Sequence, residues 1–216
     1  MHASHGSRPF ARFIVAMLLV APACASAENS SAPAVTGYTI RIFGRPAGVQ
    51  TTSVAADGRI SVEFSYRENG RGPDLHEEII LASDGTPLSL RVSGKSEMGA
   101  PIDESFRRTD NGAKWKSLSD EGMTGSPAAA LYVPLNYTFE TLSQMVRALT
   151  NVPERKLPAL PVGTVTLERL QEADMVNDGV WRTVVLYALT GLDYSPTYVW
   201  MSEKPEFRLF AFIYPG

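Results

Sequence analysis

The sequence predicts a mainly β protein: a single-domain, curved antiparallel meander of about ten strands with one packed α-helix over about 138–150. Three observations carry this expectation. Six two-residue steps end in glycine: Asp57-Gly58, Asn69-Gly70, Asp84-Gly85, Asn111-Gly112, Glu121-Gly122 and Asp178-Gly179. Glycine adopts positive φ freely, and Asn and Asp tolerate it, so such steps suit tight hairpin turns. Between the steps apolar and polar residues alternate, the period of a half-buried strand. One segment alone carries a helical repeat, and it falls in the long gap between the fifth and sixth steps.

The elements follow in order. Tyr38, Ile40 and Ile42 alternate with Thr39 and Arg41, and Gly44-Arg45-Pro46-Ala47-Gly48 turns the chain into a polar strand ending near Ala55. Over 59–67, Ile60, Val62, Phe64 and Tyr66 share one face, which predicts a sheet with one buried and one wet side. Strands around 75–82, 88–93, 102–106 and 113–117 complete a meander of about seven strands, and 119–129 reads as a loop. A short strand at 130–133 precedes the helix. Thr138 is placed to cap it, Glu140 sits in the first turn, and Phe139, Leu142, Val146 and Leu149 form its apolar stripe. Pro153, Pro158, Pro161 and Gly163 make 152–163 an extended connection. Strands at 164–175, 180–190, 196–202 and 206–214 follow. The run 180–190 is apolar on both faces, as a doubly covered central strand would be.

Residues 1–27 read as a secretory signal. Arg8 and Arg12 supply the positive end, Phe13–Ala21 the apolar core, and Ala25-Ser26-Ala27 the small-residue cleavage site before Glu28. That core is far shorter than the roughly 20 residues of a membrane-spanning helix. A second reading is lipid anchoring through Cys24, the only cysteine, although Ala21 stands where a lipobox favours Leu. Residues 28–35 read as a flexible leader and 36–216 as a single β-rich domain. The expected location is the periplasm or the extracellular space. The net charge is −3, and loss of Arg8 and Arg12 takes it to −5. With no basic stripe carrying interleaved aromatics, nucleic acid is not an expected partner.

The search for chemistry is mostly negative. Of three histidines, His2 and His5 lie in the signal, so His76 stands alone and no zinc ligand set is available. There is no Gly-x-Ser-x-Gly elbow, and His76 is the only base a serine triad could use. No catalytic residue, metal or cofactor is expected. Asp74, Glu77, Glu78, Asp103 and Glu104 lie on neighbouring strands, where two carboxylates could share a proton. The plainer reading pairs them with Arg91, Arg107 and Arg108 on a solvated face. Gly70-Arg71-Gly72-Pro73 reads as a turn, lacking the lysine and helix of a phosphate loop. Aromatic residues crowd the C-terminal strands. Together with the helix stripe they nominate an apolar pocket or partner surface: Phe139, Leu142, Val146, Tyr198, Trp200, Phe210 and Phe212.

Several blocks have a familiar look: 70–75 (GRGPDL), 100–106 (APIDESF), 113–122 (AKWKSLSDEG), 157–170 (LPALPVGTVTLERL) and 187–201 (YALTGLDYSPTYVWM). They resemble the non-catalytic N-terminal β-rich region of secreted bacterial amidohydrolase-family proteins, over about 36–212. The resemblance implies that the metal-dependent barrel, with its His-x-His, lies outside this chain, so no catalytic residue carries over. Three functions are then in play. The first is an exported, non-catalytic accessory or interaction domain associated with or truncated from an amidohydrolase, its partner a barrel encoded downstream. The second is a periplasmic carrier holding an apolar ligand or lipid between curved sheet and helix. The third is a carboxylate-dependent hydrolase.

Overall fold

The computed structural model describes residues 34–125, 129–177, 179–203 and 205–212. The expected signal segment and Cys24 lie outside the described residues. The described residues belong to one compact unit that is mainly β, with curved antiparallel sheets and one helix.

Among the described residues fourteen strands form two sheets, not one sheet of about ten strands. The first sheet is an unbroken meander of eight: β1 (Ala34–Ile42), β2 (Arg45–Val54), β3 (Ile60–Tyr66), β4 (Asp74–Leu81), β5 (Pro87–Lys95), β6 (Pro101–Thr109), β7 (Gly112–Lys116) and β8 (Glu121–Thr124). The chain then leaves this sheet. It forms β9 (Leu131–Tyr132) and α1 (Phe139–Thr150), and completes a second sheet with β10 (Lys156–Leu160), β11 (Thr164–Asn177), β12 (Val180–Thr190), β13 (Thr197–Ser202) and β14 (Leu209–Phe212). Its order is β14-β13-β12-β11-β10-β9, with β9 and β10 parallel.

The extra strands come from segments whose local signals favour loops. Glu121-Gly122 opens β8 instead of turning the chain; the turn is made upstream, where Ser117 N–H reaches Asp120 O. Glycine is needed at 122 because a Cβ there would lie 2.3 Å from the Trp115 ring. β10 runs through Pro158, in the stretch expected to be an extended connection. β1 begins inside the expected leader, at Ala34. Its link to β2 is the two-residue turn Phe43-Gly44, with φ of 49° and 75°, the hairpin geometry in which both central residues take positive φ.

The helix lies where the repeat predicts it. Thr138 is extended, and its hydroxyl accepts from Glu140 N. Leu142, Met145, Val146 and Leu149 are buried against Val165, Leu167, Val185, Leu189, Val199 and Met201 of the second sheet. A second apolar cluster lines the inner face of the first sheet, from Ile60 and Val62 to Phe106, and is capped by Tyr132. Phe139 touches both clusters: it meets Phe64 edge-on at 5.1 Å and stacks on Phe212 at 4.6 Å. Tyr38 OH donates to Leu209 O at 3.0 Å, linking β1 to β14. The double-sided burial expected along β12 holds for Val184–Leu189 only. Val180 and Trp181 are exposed near the end of the β11–β12 hairpin.

Candidate functional site

The seven residues nominated as an apolar pocket or partner surface do not share one face. Leu142 and Val146 are fully buried and Phe139 and Phe212 stack between the sheets, whereas Tyr198 lies on the opposite side of β13 from buried Val199 and Met201. Strand alternation turns Tyr198 and Trp200 away from the face of Val199 and Met201, and a β-bulge displaces Phe210. Val199 pairs with Phe212 and Trp200 with Ala211, but Met201 pairs with Leu209, which leaves Phe210 without a partner. The extra residue breaks the alternation that placed Phe210 and Phe212 on one face. Between the helix and the sheets, the void bordered by Ile79, Leu131, Thr141 and Met145 is about 20 Å³, room for about one water.

The interior is nevertheless polar at one level. β2, β4 and β6 each aim a hydrogen-bonding side chain inward, and each holds the segment that leads into α1. Gln50 Oε1 accepts from Phe139 N at 3.1 Å. Glu77 accepts the Thr138 hydroxyl at 2.5 Å and also the Thr141 hydroxyl. Glu104 accepts from Tyr132 OH at 2.7 Å and from Leu135 N at 3.1 Å. The first amides of a helix have no partner within it, and here side chains from three strands supply acceptors for them and for the approach. Glu77 and Glu104 both stand opposite Val92, one on each side, so they are two strand spacings apart, about 10 Å.

Burial dominates the electrostatics. Glu77 is wholly buried, and desolvation pushes its pKa up to about 7 against the hydrogen bonds from Thr138 and Thr141; nearby Glu140 pushes the same way. Burial and the bond to Glu104 raise the Tyr132 phenol well above its ordinary value, and burial pushes Tyr38 up to about 12. Glu140 itself accepts from Gln144 and pairs with Arg147 at 2.8 Å, and Arg147 Nε donates to Phe207 O. These contacts close the helix against the β13–β14 turn.

The remaining acids divide by face. Asp74 pairs with Arg67 and Asp103 with Arg91 on the wet side, while Glu78 faces Arg91 across the ladder. A Glu78–Glu104 pair is excluded, since Glu78 points outward and Glu104 inward. His76 is an exposed partner of Glu63 at 2.7 Å. Arg108 was expected on the solvated face but turns inward, donating to Thr86 Oγ1 at 2.7 Å with Asp84 4.0 Å away. Among the described residues no group of three or more His, Cys, Asp or Glu is placed to hold a metal ion, and no helix is long and apolar enough to cross a membrane.

A large concavity lies elsewhere, on the outer face of the first sheet. It is an open groove of about 860 Å³ running over β4–β8, lined by Arg91, Arg107, Lys114 and Lys116 with Glu78 and Glu121 at its margins. Read along the chain these cations are scattered. Their signal is the every-other-residue spacing of Lys114 and Lys116 on β7, which registers as a patch with Arg107 and Arg91 only once the strands are aligned.

The fold and groove thus define a β-rich, helix-centred protein with a polar clamp inside and a basic concavity outside. No protein-family model matches the chain, and no curated protein matches it. Among solved structures, a DUF1089-family protein from Pseudomonas aeruginosa is similar with a TM-score of 0.42 and 11% identity, over 82% of this chain and 95% of that one. A β-barrel-like protein of the domain of unknown function DUF1849 from Brucella abortus is similar with a TM-score of 0.44 and 10% identity, over 81% of this chain and 92% of that one.

Proposed function

We propose that this chain is an exported, non-catalytic interaction domain, serving an amidohydrolase barrel encoded beside it. One observation carries the non-catalytic part. The buried carboxylates a chemical search would choose, Glu77 and Glu104, spend their oxygens on Thr138, Thr141, Tyr132 and Leu135, and neither lines the void of about 20 Å³ that Thr141 and Tyr132 border. Carboxylates that act as acid and base flank a space that admits a substrate. That void is far smaller than an apolar ligand. The amidohydrolase association rests on the sequence blocks quoted above.

The test is direct. The purified protein is assayed against amide, ester and glycoside substrates, and mixed with a purified amidohydrolase barrel in a co-purification experiment. The expected result is no turnover by the chain alone and a stable complex with the barrel. Turnover that disappears in Glu77→Gln or Glu104→Gln would overturn the non-catalytic reading, and failure to form a complex would overturn the association.

A further inference from the structure

The middle of the outer groove has an unusual composition. The registers of β5, β6 and β7 set Ser89, Arg107 and Lys114 side by side in one row and Arg91, Ser105 and Lys116 in the next. This block of six contains four cations, two serines and no acid. Arg91 and Lys116 reach acids at its margins, Asp103 at 3.2 Å and Glu121 at 3.3 Å. Arg107 and Lys114 instead stand directly opposite each other, and among the described residues neither forms an ion pair.

Like charges directly opposite on a sheet oppose folding, and a single acid at either position would relieve them. The chain as a whole carries −3, so the block is a local reversal of sign. Its groove, at about 860 Å³, has the size of a small-molecule site. Within the block hydroxyls separate the cations, and exposed Ile80 and Met123 stand only at the two ends of its first row.

We propose that this groove binds a soluble diphosphate or similar compact polyanion. Arg107 and Lys114 bridge one oxyanion group, and Arg91 and Lys116 turn from their marginal acids to a second. Ser89 and Ser105 supply neutral donors between them. Guanidinium and ammonium groups make charge-assisted hydrogen bonds to phosphate oxygens, and the field of four cations favours two linked phosphates over one.

The probe is inorganic pyrophosphate, titrated calorimetrically into the purified protein at low salt with inorganic phosphate in parallel. Saturable binding is expected, tighter for pyrophosphate and weakened by added salt. The double variant Arg107→Ser/Lys114→Ser is expected to bind about tenfold more weakly or worse, while melting no lower than wild type because a like-charge contact has gone. Arg45→Ser/Lys156→Ser removes the same charge from exposed sites outside the groove and is expected to bind as wild type does. Absence of saturable binding, or equal weakening in both double variants, would overturn the proposal. Phosphate release from bound pyrophosphate would overturn the non-catalytic reading and leave the binding site standing. Absence of binding would remove the site and leave that reading untouched.

Discussion

Thr138 donates its hydroxyl to Glu77 at 2.5 Å, so the N-cap of the helix is also a ligand of the most deeply buried acid on the first sheet. The same oxygen accepts from Glu140 N at 3.2 Å, and Thr141, one turn further on, donates to the other Glu77 oxygen. Helix start and sheet interior are therefore one hydrogen-bonded unit.

Thr138→Ala should remove the cap and strip Glu77 of a donor together. A lost cap costs about 1 kcal/mol and a buried acceptor left short costs about 1–3 kcal/mol. A combined loss of about 2–4 kcal/mol is expected in urea unfolding. Thr138→Ser keeps the oxygen and should recover most of it. An alanine variant as stable as wild type would mean that Glu77 does not depend on the cap.

The pH dependence follows from the raised pKa of Glu77, about 7 in the folded chain against 4.5 as the ordinary value. The folded state holds this proton more tightly than the unfolded state, so the group's stabilising contribution is full below about pH 4.5 and is lost as pH rises through about 7. The shift corresponds to a swing on the order of 3 kcal/mol. Glu77→Gln cannot ionise, so the difference in unfolding free energy between wild type and variant should change across that window and be flat above about pH 8. A constant difference from pH 4.5 to 8 would show that Glu77 titrates normally.

Phe139 bridges the two apolar clusters through Phe64 and Phe212. Phe139→Ala should cost about 3–5 kcal/mol, as large-to-small changes in a packed core do. Trp181→Ala, at a side chain 73% exposed, should change stability by no more than about 0.5 kcal/mol. Equal losses from the two would contradict the packing described.

Gly122 has no room for a side chain, because Trp115 covers it. Gly122→Ala should displace the ring, at a cost of about 1–3 kcal/mol, and alter the near-ultraviolet circular dichroism. An unchanged spectrum and melting curve would show that β7 and β8 adjust freely.

The bond from Tyr132 OH to Glu104 is expected to show in the phenol itself. Burial is the larger cause of its raised pKa and Glu104 the next. Glu104→Gln removes the charge and should bring the Tyr132 ionisation down toward the ordinary tyrosine value in ultraviolet titration. No downward movement would mean that burial alone holds the phenol protonated.

Much of the fold was legible locally. Asn69-Gly70 and Asp84-Gly85 do turn the chain, 60–66 does alternate, and Thr138 does cap a helix with the expected apolar stripe. The misplaced elements share a cause: their local chemistry points one way and a long-range contact the other. Glu121-Gly122 has turn composition, but the Trp115 ring needs its missing side chain. Pro158 suits a connection, yet β10 pairs on both sides. Phe210 fits the alternation, yet the bulge opposite Met201 shifts it.

The sequence by itself determined a β-rich chain, its hairpin order, the single helix and its cap, because each depends on residues a few positions apart. The tertiary structure decided that the strands divide into two sheets around that helix, that Glu77 and Glu104 turn inward as clamps, and that Arg107 meets Lys114. Those outcomes depend on register between segments: Thr138 meets Glu77 across 61 residues. A shift of one residue moves a side chain from the wet face of a sheet to its core, and no local pattern specifies which partner it will find there.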